Sequence, residues 1–312
     1  MKIGVVGTGL VGSACANACV LRGVGTSLIL VDHLPDLAVA QAEDILHATP
    51  FARAMPVEAG SYSDLTGCGV VMIAAGVNQK PGETRLDLLK RNADIFNLMI
   101  PEIIRYAPDA IFLIATNPVD IMTHLVTQIA AHHGIPQNRV IGSGTILDTA
   151  RFRALLAKHL GVSSHSVHAY VLGEHGDSEV LYWSGATVGT MALPAFSADR
   201  DRPITNEVTE QIDKGVRQAA ARIIKGKGAT YFGIGAGMAR IASGIINNEN
   251  AVLTCSQLHR NIEGIENVTL SMPVILNATG VVDILMPLLD KEEKEKLQRS
   301  ACIIREATDQ MA

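Results

Sequence analysis

The sequence lacks the features that would point to a membrane or nucleic-acid role. No apolar run reaches the roughly 18 residues that a membrane-spanning helix needs, since the longest runs lie near 69–77 and 110–115. The formal net charge is −5, so the chain has no general attraction for nucleic acid or for an anionic bilayer. We therefore expect neither a nucleic-acid nor a membrane partner.

The sequence also lacks the cysteine pattern of a disulfide framework or a zinc site. Its five cysteines are scattered and odd in number, and none follows zinc-ligand spacing. The first residues enter an apolar strand pattern at once, without the apolar segment and cleavage site of a secretory signal peptide. We therefore expect a cytoplasmic protein that binds no metal and buries its cysteines as small apolar groups.

The composition that remains is that of a globular α/β protein. Hydrophobic residues make up 48% of the 312 positions, which suffices for two domains with separate cores. Apolar strand patterns near 2–7, 27–31 and 70–76 alternate with helical patterns, which is typical of a parallel sheet buried on both faces. We predict a Rossmann-type doubly wound parallel sheet over 1–144, followed by a mixed α+β domain over 145–312.

A glycine-rich motif, G-T-G-L-V-G at 7–12, connects the first strand to a helix predicted at 13–21. The second strand ends at Asp32, twenty residues after Gly12, which completes the spacing of a dinucleotide-binding fingerprint. The glycines permit a tight turn and close approach of a pyrophosphate, which the helix N-terminus would face. The Asp32 carboxylate would accept ribose hydroxyls and repel a 2′-phosphate, so we predict NAD rather than NADP; an ordinary tight turn is the alternative. The residues assigned to this cofactor site are Gly7, Gly9, Leu10, Val11, Gly12 and Asp32.

Two polar segments follow strands of the predicted sheet and should face its ligand crevice. The motif T-N-P-V-D at 116–120 places Asn117 beyond the carboxyl end of a strand. Asn117 is predicted either to contact a ligand or to form a local turn or cap. The segment 76–85 contains glycine, proline and charged residues, and it is predicted to be a mobile lid or a solvated loop.

A histidine flanked by glycines follows a strand predicted at 166–172. In G-E-H-G-D at 173–177 the two glycines leave little bulk beside His175, so a substrate could approach its imidazole closely. Histidine titrates near neutrality and can both take and give a proton. A loop histidine is more often a surface or structural group, so this segment alone does not establish catalysis.

Charged side chains on the helix predicted before this strand are candidates to accompany the histidine. Asp148 and Arg151 lie three positions apart and share a face, either in a site or as a solvent-exposed ion pair. Arg153 lies two positions beyond Arg151, roughly 200° around the helix, so it points away from it. His168 precedes His175 by an odd number of positions and is expected to face away from it as well.

The rest of the second half is predicted to be mixed. Helical periodicity covers 206–224, 231–247 and 291–308. The apolar segments 251–255 and 267–274 are predicted to be strands of a smaller, more antiparallel sheet.

Five motifs in this order resemble those of the lactate/malate dehydrogenase family over essentially the whole chain, and within it the bacterial L-lactate dehydrogenases. The motifs occupy 7–12, 78–85, 116–120, 148–151 and 173–177. The resemblance implies an NAD-dependent enzyme that reversibly reduces pyruvate to L-lactate, with a catalytic domain at 145–312.

The resemblance also implies a role for each candidate side chain. His175 would give and take the proton, oriented by Asp148, and Arg151 would hold the substrate carboxylate with its planar fork. Arg85, carried on the closing segment, would polarise the substrate carbonyl. The other two positions are Asn117, at the substrate oxygen and the cofactor, and Thr230, in the substrate pocket.

Gln79 is predicted to select the substrate. In similar malate dehydrogenases the matching position is an arginine, which pairs with the second carboxylate of oxaloacetate. A neutral glutamine would leave that charge unpaired, whereas pyruvate has only a methyl group there. The adjacent Lys80 is cationic, but similar lysines occur in both branches. The alternatives are a malate dehydrogenase, a dehydrogenase of a longer 2-hydroxy acid, and a nucleotide-binding scaffold without catalysis.

The resemblance extends to regulation and assembly. Arg153 and His168 match positions that bind fructose 1,6-bisphosphate across a subunit interface in many bacterial L-lactate dehydrogenases, and both side chains suit phosphate oxygens. A surface arginine and a hydrogen-bonded histidine are the alternative. Most members of the family are tetramers, so we expect a homotetramer.

Overall fold

The structure is a computed structural model that describes residues 1–77, 82 and 85–310, the last range without the side chains of residues 85 and 86. Within these ranges the strands form one nine-stranded sheet and one three-stranded sheet. The strands are β1 Lys2–Val6, β2 Ser27–Val31, β3 Val57–Ala59, β4 Cys68–Ile73, β5 Ile111–Ile114, β6 Val140–Gly142, β7 Val167–Leu172, β8 Val180–Val188, β9 Met191–Ala192, β10 Ala251–Ile262, β11 Ile265–Asn277 and β12 Gly280–Ile284. The helices are α1 Leu10–Arg22, α2 Pro35–Leu46, α3 Arg85–Tyr106, α4 Val119–His132, α5 Ile146–Leu160, α6 Leu193–Asp199, α7 Asn206–Arg217, α8 Ala219–Lys227, α9 Phe232–Ile246 and α10 Lys291–Asp309.

The first half forms the parallel part of the large sheet, in the order β3-β2-β1-β4-β5-β6. This order is that of a doubly wound dinucleotide-binding sheet. Strands β1, β4 and β5 are buried along almost their whole length, because α3 and α4 contribute to an apolar core on one face and α1 and α9 to a core on the other. The predicted Rossmann-type fold is confirmed, and the carboxyl ends of its strands form one edge where ligands bind in such sheets.

The prediction for 251–255 and 267–274 is wrong in one respect. Both segments are antiparallel strands, β10 and β11, but they extend the large sheet, because β10 pairs with β6 through Ser256 and Gly142. Residues 268–274 of β11 are buried without a gap, since α4, α9 and α10 all pack against this strand. Two-sided burial of this kind is typical of a strand inside a helix-covered sheet. The smaller sheet consists of β7, β8 and β9 instead.

The helix predicted at 206–224 is two helices. α7 ends at Arg217 and α8 begins at Ala219. The break follows the last buried apolar residue of α7, Val216, and α8 is exposed over most of its length, so no continuous apolar face extends the first helix. The predicted helices 231–247 and 291–308 agree with α9 and α10 to within about a residue at each end.

The helix that follows the glycine-rich turn begins earlier than the sequence predicts. α1 begins at Leu10, inside the motif, three residues before its predicted start. None of the helices within the described ranges combines the length and apolar composition that crossing a bilayer requires.

Candidate active site and cofactor site

The glycine-rich turn after β1 is built so tightly that two of its glycines leave no room for a side chain. Gly7 has φ +87°, and a Cβ added there would lie 2.3 Å from the Ala75 nitrogen. A Cβ on Gly12 would lie 1.8 Å from the Gly7 oxygen, so the close packing of α1 on the turn depends on glycine. A Cβ on Gly9 would meet no atom within 4 Å, which shows that this residue borders open space.

The first turn of α1 offers free backbone donors at that open space. Gly9 is the N-cap and supplies no side chain, and the first helical hydrogen bond is donated by the Ser13 nitrogen to the Gly9 oxygen at 2.9 Å. The N–H groups of Leu10, Val11 and Gly12 therefore precede the helical ladder. A pyrophosphate fits this arrangement, because free N–H groups and the positive end of the helix dipole face it together.

Asp32 follows β2 and is held in place by the same turn. Its Oδ2 accepts hydrogen bonds from the backbone nitrogen of Thr8 at 2.6 Å and from the Thr8 hydroxyl at 3.1 Å, and its Oδ1 accepts one from the Leu34 nitrogen at 3.0 Å. Burial would raise the pKa of Asp32, but these hydrogen bonds outweigh it and lower the pKa. Asp32 is therefore anionic and fixed in orientation. Sequence reasoning missed Thr8, which occupies a variable position of the motif and is fully buried.

A cavity of about 640 Å³ lies beside Asp32 and the glycine-rich turn. Its volume is within the range of small-ligand sites, and Asp32 and Gly9 stand at its wall. Tyr62 and Gly76, which follow two other strands of the sheet, also line this cavity. The cavity, the fixed carboxylate and the free helix terminus together fit the adenosine and pyrophosphate parts of NAD.

His175 lies in the loop between β7 and β8 and pairs with Asp148 of α5. The imidazole Nδ1 is 2.5 Å from Asp148 Oδ2, and the His175 side chain is 24% exposed whereas that of Asp148 is 2% exposed. Burial alone would lower the pKa of His175, but the hydrogen bond and charge of Asp148 outweigh it and raise that pKa to about 9. Within the described residues Nε2 has no hydrogen-bond partner, so a protonated His175 can present an N–H to a substrate.

Arg151 takes the other oxygen of the same carboxylate. Its Nη1 donates to Asp148 Oδ1 at 2.7 Å, and the Arg151 side chain is only 14% exposed. The pair is therefore buried beside the imidazole and is not a solvent-exposed helical ion pair. Burial would raise the pKa of Asp148, but His175 and Arg151 lower it, so the carboxylate stays ionised between two cations.

Two further carboxyl groups adjoin this site, and sequence reasoning assigned neither. Asp120 accepts the backbone N–H of His175 at 2.7 Å. Glu179 is 3% exposed, and its Oε1 is buried without a hydrogen-bond partner among the described residues. Burial, together with the charge of Asp148, raises the pKa of Glu179 to about 8. The only sequence signal for either residue was its place inside or next to a motif.

For the remaining predicted site residues, the described ranges give at most a position in the fold and no contact with His175 or Asp148. Asn117 is exposed beyond the carboxyl end of β5, at the ligand-binding edge of the sheet, and the Asn117–Pro118 peptide bond is cis. Thr230 is half-buried in the connection between α8 and α9. Arg85 is the first residue of α3, but its side chain lies outside the described part of the chain, as does the whole of Gln79.

Arg153 and His168 lie on neighbouring elements, α5 and β7. Arg153 Nε donates to the Ala169 oxygen at 2.8 Å, and its guanidinium lies 4.8 Å from the centre of the Tyr170 ring. His168 precedes these two residues in β7 and is exposed. The structure therefore brings Arg153 to the backbone that follows His168, on a different side of α5 from Arg151.

The comparisons with known proteins cover both halves of the chain. Residues 1–142 match the family model described as lactate/malate dehydrogenase, NAD binding domain, and residues 145–312 match its alpha/beta C-terminal domain. An L-lactate dehydrogenase from Thermus aquaticus is 56% identical over 307 residues, which covers 98% of either chain. An L-lactate dehydrogenase from Allorhizobium ampelinum is 52% identical over 306 residues, again 98% of either chain.

A solved structure agrees with these relatives. The crystal structure of a minor L-lactate dehydrogenase from Enterococcus mundtii superposes with a TM-score of 0.94 at 38% identity, over 100% of this chain and 98% of that one. The glycine-rich turn and the Asp32 cavity lie in the half that matches the NAD binding domain, so NAD is the cofactor that this half holds. The chain belongs to the lactate/malate dehydrogenase family.

Proposed function

We propose that the chain is an NAD-dependent L-lactate dehydrogenase that reversibly reduces pyruvate to L-lactate, with His175 as proton donor in that direction. The observation that carries the proposal is the contact between His175 Nδ1 and the buried Asp148, whose second oxygen holds Arg151. Full-length relatives named L-lactate dehydrogenase support the choice of substrate.

The proton step follows from the electrostatics of the pair formed by His175 and Asp148, here called the dyad. With a pKa of about 9, His175 is protonated at neutral pH, and its Nε2–H can be given to the carbonyl oxygen of pyruvate. Asp148 fixes the ring orientation and the Nδ1–H tautomer after the proton has left. Bound NADH would supply the hydride that the carbonyl carbon accepts. In the reverse direction neutral His175 takes the hydroxyl proton of lactate.

Arg151 is proposed to hold the substrate carboxylate. A guanidinium has five N–H donors, and a single hydrogen bond, from Nη1, goes to Asp148, so donors remain for a bidentate pair with a second carboxylate. Arg85, Asn117 and Thr230 keep the roles that the family resemblance implies, at the carbonyl oxygen and in the pocket wall. This arrangement fixes the carboxylate and carbonyl of a 2-oxo acid at once.

The role of His175 can be tested by a substitution and its matched control. We expect His175→Asn to lose at least about a thousandfold in kcat for pyruvate reduction, since no neighbouring group replaces the proton donor. His133→Asn changes an exposed histidine at the end of α4 and should leave kcat unchanged. Turnover retained in the first variant would contradict the proposed mechanism and would favour a nucleotide-binding scaffold.

Gln79 is proposed to select pyruvate over oxaloacetate. Gln79→Arg should raise the ratio of kcat/KM for oxaloacetate to that for pyruvate by about a hundredfold, because about 3 kcal/mol of charge pairing becomes available. Gln211→Arg, which adds the same charge at an exposed position of α7, is the control and should not move the ratio. An unchanged ratio in both variants would count against Gln79 as the discriminating residue.

Arg153 and His168 are proposed to form a fructose 1,6-bisphosphate site at an interface of a homotetramer. The exposure of His168 and the position of Arg153 beside the next two residues support a shared phosphate contact. We expect fructose 1,6-bisphosphate to lower the pyruvate concentration at half-saturation, and Arg153→Gln but not Arg200→Gln to remove that response. A saturation curve that stays unmoved at several pH values would contradict the proposal.

Assembly and location complete the proposal. Light scattering should give a mass of about 132 kDa, four times the chain mass of 33.1 kDa; a monomer or dimer at micromolar concentration would contradict it. We also propose a cytoplasmic location, where Cys15, Cys19, Cys68, Cys255 and Cys302 stay reduced, as they are free in the structure.

A further inference from the structure

Asp120 connects the ligand-binding edge of the large sheet to the histidine loop, which comprises residues 173–179 between β7 and β8. It lies in the first turn of α4, three residues after Asn117, and is 2% exposed. Its Oδ2 accepts the backbone N–H of His175 at 2.7 Å, and its Oδ1 accepts the hydroxyl of Ser256 on β10 at 2.6 Å. An acidic residue in a first helical turn often serves its own helix, but here both oxygens are bound to other elements.

The histidine loop is held by three consecutive backbone contacts, of which Asp120 makes the charged one. The Gly173 backbone exchanges two hydrogen bonds with Ser271, each 2.9 Å long. The Glu174 nitrogen donates to the Ser300 hydroxyl at 2.8 Å. The third contact, from His175 itself, goes to a carboxylate, and hydrogen bonds to charged groups are the stronger kind.

The charges around His175 come from several elements. Asp148 faces it from α5, with Arg151 behind that carboxylate, and Asp120 faces it from α4. Glu179 lies on the same loop, and burial keeps its pKa at about 8. For Asp120 itself, burial and, to a smaller extent, the charge of Glu174 raise the pKa to about 6 against the opposing effect of the hydrogen bonds of Ser256 and His175. Asp120 is therefore ionised above pH 6 and favours the protonated imidazole.

We propose that Asp120 is a second positioning carboxylate for the proton-transfer step, fixing the backbone of His175 relative to Asn117 and stabilising the imidazolium together with Asp148. Asp120 does not touch the substrate and acts through His175. The inference rests on the proposed role of His175 as proton donor. One segment, T-N-P-V-D at 116–120, thus carries both Asn117, which is proposed to contact the substrate, and the residue that accepts the backbone N–H of His175.

The variant Asp120→Asn separates charge from hydrogen bonding. The carboxamide oxygen can still accept the His175 N–H, and its NH2 group can donate to the Ser256 hydroxyl, so only the charge is lost. We expect the alkaline limb of kcat/KM for pyruvate to move toward acid by about one pH unit, with kcat lowered above pH 8 and KM nearly unchanged. Unmoved limbs would overturn the proposal.

Glu293→Gln is the matched control. Glu293 is also buried, at 5% exposure, and it accepts the backbone N–H and the hydroxyl of Ser184 at 2.9 and 2.5 Å and the backbone N–H of Asp290 at 3.0 Å. These partners belong to β8 and the start of α10, not to the loop that carries His175. A loss of thermal stability is expected in both variants, because each changes a buried carboxyl group that accepts hydrogen bonds from other elements. Only Asp120→Asn should move the pH profile; a shift of equal size in Glu293→Gln would mean a nonspecific structural effect and would overturn the proposal.

A spectroscopic titration makes the test independent of turnover. In histidine-labelled protein, with the His175 signals identified by their loss in His175→Asn, the imidazole pKa should be lower in Asp120→Asn than in the unsubstituted protein. In the unsubstituted protein the backbone amide of His175 should also shift with a midpoint near pH 6, which needs no variant to fold. A His175 amide chemical shift that does not change near pH 6, or an imidazole pKa that the substitution does not lower, would overturn the inference. Absence of pyruvate turnover in the unsubstituted protein would instead overturn the proposed function and leave this titration valid.

Discussion

Asp148→Asn is the substitution that bears most directly on the dyad. Asp148 places one oxygen 2.5 Å from His175 Nδ1 and the other 2.7 Å from Arg151 Nη1. The asparagine keeps the shape of the side chain and removes its charge. The imidazolium then loses the partner that raises its pKa, while burial, which lowers it, remains.

The expected size of the effect follows from the pKa of His175. The separation between about 9 and the ordinary histidine value of about 6.5 corresponds to about 3 kcal/mol, at 1.36 kcal/mol per pH unit. If the variant returns to about 6.5, the protonated fraction at pH 8 falls from about 90% to about 3%. Pyruvate reduction at pH 8 should therefore lose about thirtyfold in kcat/KM from protonation alone, and more if the ring turns.

The assay is NADH absorbance at 340 nm with pyruvate from pH 5 to pH 10. The alkaline limb of kcat/KM should lie near pH 9 in the unsubstituted protein and near or below pH 6.5 in Asp148→Asn. Asp309→Asn removes the carboxylate of another helical Asp–Arg pair, with Arg305 on α10, and should leave the profile in place. An alkaline limb that stays near pH 9 in Asp148→Asn would refute the assignment of the pKa to this pair.

Three further predictions concern Arg151, Asp32 and the effect of His175 on stability. Arg151→Lys replaces a planar fork by a point charge and should raise the KM for pyruvate by at least about tenfold in steady-state kinetics; an unchanged KM would exclude a bidentate contact. Asp32→Ser removes the anion that repels a 2′-phosphate and should raise the NADPH/NADH ratio of kcat/KM by at least about tenfold, whereas an unmoved ratio would contradict its role. The folded-state pKa of His175 is raised, so its stabilisation is complete below pH 6.5 and is lost as pH rises through 9; chemical denaturation should show this fall in unfolding free energy, reduced in His175→Asn.

The parallel half of the fold follows from local patterns. Continuous apolar segments and the spacing from Gly12 to Asp32 involve residues near one another in the chain, and each reports its own burial or turn. The placement of β10 does not follow in this way, because it depends on the pairing of Ser256 with Gly142, over a hundred residues earlier. An antiparallel hairpin can extend one sheet or begin another with the same alternation of side chains.

The candidate site also combines residues that local motifs predict with contacts that only the fold determines. Motifs predict His175, Asp148 and Arg151, and the structure adds the distances that join them into one unit. Asp120 lies within a motif, but the sequence assigns it no role, since its contact with His175 spans 55 positions and goes to a backbone nitrogen that no sequence pattern encodes. Glu179 was missed because its burial beside the dyad is a property of packing alone.

The proposed reduction of pyruvate with NADH at this site can be measured against its nearest alternative in a single assay. Purified protein is assayed for NADH oxidation with pyruvate and with oxaloacetate side by side, with and without fructose 1,6-bisphosphate. We expect a kcat/KM for pyruvate at least about a hundredfold above that for oxaloacetate. Preference for oxaloacetate would contradict the substrate assignment, and absence of turnover with either compound would contradict the proposed activity itself.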